Sequence, residues 1–209
     1  SQINWVIRKG KWDIPQYYGS GRSFDIPMCY NIMEYPHGPP FTINESYSNI
    51  RGKIVLLGFP DILIDHPNPF VPLINEIRQG NFEVTLGIVH CEDPKKIDVV
   101  EMNDDGEITK IIPKPKTDVN KQAWIWAAWS PRFTEFLHHV IEEKVESIKS
   151  NESIQKEVKE LHVGDVMQQF INAGGKVKGI KFQETRFLDI GTTSGWKKIE
   201  QFRFLKHPM

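Results

Sequence analysis

The sequence predicts an α/β fold built on a mostly parallel sheet with a small antiparallel lobe. Three observations predict it. Apolar runs twice carry a carboxylate into a loop, in Lys53-Ile-Val-Leu-Leu-Gly-Phe-Pro-Asp61 (continuing Ile-Leu-Ile-Asp65) and in Arg186-Phe-Leu-Asp-Ile-Gly-Thr192. Such runs suit a parallel sheet whose site lies beyond its strand ends. A strand at 54–58, a helix at 70–78 and a strand at 83–91 then follow one another, as in a right-handed parallel crossover. Finally, Val99-Val-Glu-Met and Glu107-Ile-Thr-Lys-Ile-Ile112 flank Asn103-Asp-Asp-Gly106, a hairpin turned by Asp105-Gly106.

Each element has its own signal. A short apolar run, 5–7, leads into 9–15, a loop by its Gly and Pro, and the proline-rich stretch 36–40 is another loop. In 70–78, Phe70, Leu73, Ile74 and Ile77 recur at helical spacing. Residues 123–129 form a strand with Trp124, Trp126 and Trp129. In 131–147, Phe133, Phe136, Leu137, Val140 and Ile141 fall on one helical stripe. The polar stretch 147–159 reads as a solvated excursion. A short helix at 164–173 is stopped by Gly174-Gly175, and strands at 177–182 and 187–190 follow. There is no internal repeat.

With 209 residues the chain suits one sizeable domain, 1–209. Lys and Arg number 26 against 27 Asp and Glu, so no net field draws it to nucleic acid. No apolar run approaches the roughly 18 residues of a membrane span, and no signal-peptide pattern opens the chain. Cys29 and Cys91 are too few for a disulfide scaffold and fit a reducing compartment, so the expected location is cytoplasmic.

Pro60 fixes the backbone before Asp61 and sets its carboxylate at a strand mouth. Asp61 and Asp189 together suit a divalent cation held against a phosphate. The structural alternative for each is a loop or cap Asp bonding its own backbone. Gly19-Ser-Gly-Arg22 lacks the Gly-Lys-Ser/Thr ending of a nucleotide P-loop and reads as a surface turn. His138 and His139 point about 100° apart on a helix and His90 and Cys91 to opposite faces of a strand, so neither pair is a metal site. No zinc spacing or Gly-x-Ser-x-Gly elbow occurs. Stacking of a base or sugar and packing in the core and at an interface both remain open for the three tryptophans, with packing favoured.

Four stretches, in order along the chain, resemble the sugar nucleotidyltransferases, especially their glucose-1-phosphate thymidylyltransferase-like branch. They are Lys11-Trp-Asp-Ile-Pro-Gln-Tyr-Tyr-Gly19, Leu57-Gly-Phe-Pro-Asp-Ile-Leu63, Val99-Val-Glu-Met with Lys110-Ile-Ile-Pro-Lys-Pro115, and Phe187-Leu-Asp-Ile-Gly-Thr192. The resemblance implies a doubly wound sheet and coupling of a nucleoside triphosphate to a sugar 1-phosphate, most closely of dTDP-glucose type, with release of pyrophosphate. It implies Asp61 and Asp189 as Mg²⁺ ligands and Lys114, Glu101 and Asp189 as sugar-phosphate contacts. Gly38, Gly58 and Asp61 would serve nucleotide binding. The family's Gly-rich strand-to-helix loop has no counterpart before residue 11, so the expectation is an N-terminally truncated domain lacking the first strand. Pro113 stands where the family has Glu, Met33 where it has a base-reading Gln, and Asp98 where a sugar-side Gly is usual. These departures favour an alternative: a non-catalytic relative that binds a sugar nucleotide or a partner subunit. A homo-oligomer through the Trp-rich strand or the 131–147 helix is the expected assembly.

Overall fold

The structure, a computed structural model, describes residues 1–116, 121–150 and 160–199. In chain order its first elements are β1 (Ile3–Ile7), α1 (Asp13–Tyr18), β2 (Met28–Ile32), α2 (Pro39–Asn44) and α3 (Tyr47–Ile50). Next come β3 (Val55–Leu57), β4 (Ile62–Ile64), α4 (Val71–Gln79), β5 (Val84–His90), β6 (Val99–Met102) and β7 (Ile108–Ile112). The chain continues through β8 (Gln122–Trp129), α5 (Pro131–Ser150), α6 (Val163–Asn172), β9 (Val177–Lys181), β10 (Phe187–Asp189) and α7 (Thr193–Trp196). It divides into two compact units, one of Ser1–Gly52 with Thr134–Val166, the other of Lys53–Phe133 with the described residues from Met167 onward. No helix among the described residues is long and apolar enough to cross a membrane.

In the first unit, β1 and β2 pair in parallel from Ile3 against Met28 to Ile7 against Ile32. The expected loop at 9–15 is corrected here: Pro15 lies inside α1, at its third residue. That position has no intrahelical partner for its N–H, so proline does not break the helix. Pro39 and Pro40 likewise open α2. Gly21 is at positive φ and a side chain there would overlap the Ile26 carbonyl, so Gly19–Arg22 is a structural turn. The α5 helix runs to Ser150, past the expected end at 147, because Val145 and Ile148 extend its apolar stripe and are buried. The rest of the expected excursion, 151–159, lies outside the described residues. Tyr47 stacks on His138 with ring centroids 3.5 Å apart and donates to Glu135 Oε2 at 2.7 Å.

The second unit holds a mixed six-stranded sheet with the order β7-β6-β8-β5-β9, in which β3 also pairs with β8. The β6–β7 hairpin turns through Gly106 at φ 77, as expected. Both β3 and β5 run antiparallel to β8, and both oppose its residues Ala127 to Trp129. They are therefore parallel to each other across β8, so the expected crossover keeps its direction but spans one inserted strand. Strand β9 adds in parallel on the far side of β5. Ala123 to Trp129 are all buried, which corrects the idea that the Trp-rich strand is an assembly surface. Its rings fill the core: Trp126 meets Phe182 edge-on at 4.7 Å, and Trp129 meets Phe133 at 5.4 Å.

Two predictions follow from this packing. A Cβ at Gly87 overlaps the Trp126 indole at an ordinary φ, so Gly87→Ala overpacks the core. The expected loss is about 1–3 kcal/mol in denaturant unfolding, and unchanged stability contradicts this packing of Trp126. In the first unit, the hydrogen bond to Glu135, then burial and repulsion by the same carboxylate, raise the Tyr47 phenol above 10.0, with Arg51 opposing. The stabilisation is complete below the ordinary phenol pKa and is lost as pH rises through the raised one. Glu135→Gln should bring the ultraviolet phenolate band of Tyr47 in at lower pH, and an unmoved band contradicts the contact.

Candidate functional site

Strands β4 and β10 are where the two sequence-selected carboxylates meet. They pair antiparallel, with Phe187 opposite Ile64, Leu188 opposite Leu63 and Asp189 opposite Ile62. This corrects one expectation: the two apolar runs do not bring their Asp residues to a common parallel edge. They form a separate two-stranded ladder instead. A period-two apolar pattern specifies which face a strand buries and not which strand it pairs with.

Local chemistry aims each carboxylate. The Ile62 N–H donates to the Phe59 carbonyl at 3.1 Å, so Phe59 to Ile62 is a β-turn. Pro60 is its second residue, where a fixed φ is favourable, and Asp61 its third. The Asp61 carbonyl accepts from the Ile190 N–H at 2.8 Å, which extends the ladder by one step. Asp189 ends β10, and its Oδ1 accepts from the Gly191 N–H at 2.8 Å. That bond is the self-backbone contact anticipated as the structural alternative for Asp189. Asp61 shows no such contact, and its carboxylate has no hydrogen-bond or ion-pair partner among the described residues. Behind Asp189, Thr192 caps α7 by accepting from the Gly195 N–H at 3.1 Å.

Gly191 lies between the two carboxylates. A Cβ placed there would sit 2.6 Å from Asp61 Oδ2 and 3.2 Å from Asp189 Oδ1, so both carboxylates lie against the Gly191 backbone. Both side chains are exposed. Two carboxylates near one another repel, and a cation shared between them would relieve the repulsion. Among the described residues no group of three or more His, Cys, Asp or Glu converges as a metal cage. Mg²⁺ needs no such cage: it takes one or two carboxylates and completes its octahedron with water and substrate phosphates. Two carboxylates, one of them also accepting from a backbone N–H, are a donor set that such an ion would accept.

At the other end of the ladder, the Asp65 N–H donates to the Arg186 carbonyl at 2.9 Å, and Arg186 Nε donates to Asp65 Oδ2 at 3.1 Å. Sequence reasoning gave Arg186 and Gly191 no part in the site. An Asp two residues before a Gly was a readable signal for the turn, whereas nothing local marked the Arg186–Asp65 pair.

The remaining sequence-selected residues are placed as follows. Gly58 is exposed and follows β3. Glu101, in β6, lies 3.7 Å from Lys110 Nζ across the hairpin. Lys114 is exposed, in the bend after β7 at φ 38, between Pro113 and Pro115. No hydrogen bond or ion pair joins Glu101 or Lys114 to the Asp pair among the described residues. Gly38 belongs to the first unit, at the N-cap of α2 with φ 119, where a side chain would overlap the Leu161 carbonyl.

No protein-family model and no curated protein sequence matches the chain. Solved structures do. A Bacillus anthracis protein assigned as a glucose-1-phosphate thymidylyltransferase, solved with sucrose, superposes with TM-score 0.78 at 15% identity over 99% of this chain and 78% of that one. An apo UDP-glucose pyrophosphorylase gives 0.72 at 16%, covering 96% and 80%. The inositol-1-phosphate CTP transferase of T. maritima gives 0.66 at 17%, covering 91% and 70%. At these identities the likeness is one of fold, that of nucleotide-diphospho-sugar transferases.

The geometry at Gly191 makes a direct prediction. Gly191→Ala should displace the Asp61 carboxylate and lower divalent-cation affinity about 10–100-fold, read by calorimetry with the protein still folded. Unchanged affinity would remove the pair from consideration as a cation site.

Proposed function

We propose that the chain is a nucleotidyltransferase that couples a nucleoside triphosphate to a sugar or polyol 1-phosphate, releasing pyrophosphate. The observation that carries this reading is that the Asp61 and Asp189 carboxylates both lie against Gly191. It occurs in a fold whose solved examples, by name, act on glucose 1-phosphate, UDP-glucose and inositol 1-phosphate. Within this class the dTDP-glucose type is the finer proposal, supported by the four motif stretches and by the neighbour with TM-score 0.78.

The reaction needs an acceptor phosphate oxygen to attack the α-phosphorus in line with the departing pyrophosphate. Two anions must approach, so charge neutralisation and alignment matter more than a covalent nucleophile. In this reading Asp61 and Asp189 would hold Mg²⁺, which would supply positive charge to offset the phosphates. The β4–β10 ladder sets the spacing of those carboxylates. Lys114 binds the acceptor phosphate as a point charge on a flexible stem. Glu101 accepts from an acceptor hydroxyl, and Gly58 lets backbone approach the nucleotide without a side chain in the way.

A binding-only relative is the second reading, favoured by one observation. Met33, where the resemblance expects a base-reading Gln, has its sulfur engaged by the Thr42 hydroxyl at 3.3 Å and offers a base no amide. Tight nucleotide binding without pyrophosphate release would select that reading.

Calorimetric titration with dTTP, UTP and CTP, each with and without Mg²⁺, tests the proposal. The expected result is Mg²⁺-dependent binding of at least one nucleotide, weakened about 10–100-fold or more by Asp61→Asn and by Asp189→Asn with no loss of fold. Wild-type binding by both variants rules the pair out.

A further inference from the structure

The ladder that carries Asp61 and Asp189 has apolar residues at consecutive positions on both strands. Ile64 faces Phe187, Leu63 faces Leu188 and Ile62 faces Asp189, and one step further on the Ile190 N–H reaches the Asp61 carbonyl. Ile62, Leu63, Ile64, Phe187 and Leu188 are all half-buried. No polar residue alternates with them, so burial alone does not decide which face of either strand turns inward. Swaps among Ile, Leu and Phe also discriminate weakly between alignments. Yet alignment decides whether the carboxylates meet, because a slip of one residue turns each side chain to the opposite face.

One facing pair does discriminate. In the same register, next after Ile64 and Phe187, the Asp65 N–H donates to the Arg186 carbonyl at 2.9 Å. Arg186 Nε donates to Asp65 Oδ2 at 3.1 Å, and Nη2 reaches the same oxygen. The Asp65 side chain is 9% exposed, the Arg186 side chain 57%. Such a pair adds little net stability, since desolvating the carboxylate offsets its attraction to the guanidinium. Losing the partner is costly, because the buried charge is then uncompensated. A slip of one residue would set Asp65 opposite Thr185 or Phe187, neither of which carries a charge. The pair therefore penalises misaligned strands more than it stabilises aligned ones.

We propose that Arg186 and Asp65 are positioning residues: their ion pair selects the strand register that brings Asp61 and Asp189 together against Gly191, and so sets the affinity of those carboxylates for a divalent cation. This rests on the cation role given to the two carboxylates in the transferase reading. It deepens that reading by placing control of the site at the far end of the ladder.

Paramagnetic resonance of Mn²⁺, an oxygen-liganded substitute for Mg²⁺, reads cation affinity without turnover. Arg186→Gln and Asp65→Asn should each weaken Mn²⁺ binding about 2–30-fold. Arg186→Lys keeps the charge but not the two-nitrogen contact, and its affinity should fall between those of Arg186→Gln and the unaltered chain. The double variant should bind no more weakly than the worse single one, because the two residues act as a unit. Arg132→Gln controls for stability alone. It breaks the ion pair with Glu83, also between an exposed guanidinium and a largely buried carboxylate in the second unit, which joins neither β4 nor β10. Its Mn²⁺ affinity should be that of the unaltered chain.

Unchanged Mn²⁺ affinity in folded Asp65→Asn or Arg186→Gln overturns the inference, as does an equal loss in Arg132→Gln. Should Arg186→Gln not fold, Asp65→Asn and Arg186→Lys decide in its place. Binding that is lost in Asp61→Asn but indifferent to the pair overturns this inference and leaves the cation reading standing. Mn²⁺ binding that is absent, or indifferent to both Asp61→Asn and Asp189→Asn, sinks the cation reading and this inference with it.

Discussion

The proposed site depends on a three-residue antiparallel ladder, β4 against β10. So short a ladder is weak alone, and both of its ends are reinforced. At one end Asp65 and Arg186 join by backbone and side chain, and at the other the Ile190 N–H meets the Asp61 carbonyl. Ile62, Ile64 and Phe187 pack the ladder against the buried core of the second unit. The two carboxylates are thus held by strand register, while their side chains stay exposed. Such an arrangement keeps a charged site preformed at low desolvation cost, which a pair of buried carboxylates would not.

The core beneath owes its shape to β8. One of its edges is shared by β6 near Ala123 and β3 near Trp129, while β5 covers the other along its length. A strand paired on both edges and covered on both faces must be apolar throughout, as Ala123 to Trp129 is. The bulky rings are accommodated by small neighbours: Gly87, opposite Trp126, leaves the space that the indole occupies.

Much of this was legible in the sequence, and for local reasons. The hairpin at Asp105-Gly106, the apolar stripe of α5 and the stop at Gly174 follow from residues close in the chain. So did the choice of Asp61 and Asp189, since each ends or adjoins an apolar run and Pro60 marks a turn. Strand partnership was not legible. Burial is a property of one strand, but the insertion of β8 between β3 and β5 and the antiparallel meeting of β4 with β10 depend on residues far apart in sequence. Pro15 was misread because proline forbids a helix interior but is harmless in a first turn.

Pyrophosphate release on mixing the chain with Mg²⁺, each of dTTP, UTP and CTP, and glucose 1-phosphate or myo-inositol 1-phosphate is the most direct test of the central claim. Release that requires both a nucleotide and an acceptor, and that disappears in Asp61→Asn, is the predicted result. No release from any pair, together with no Mg²⁺-dependent nucleotide binding by the folded protein, would contradict the transferase reading.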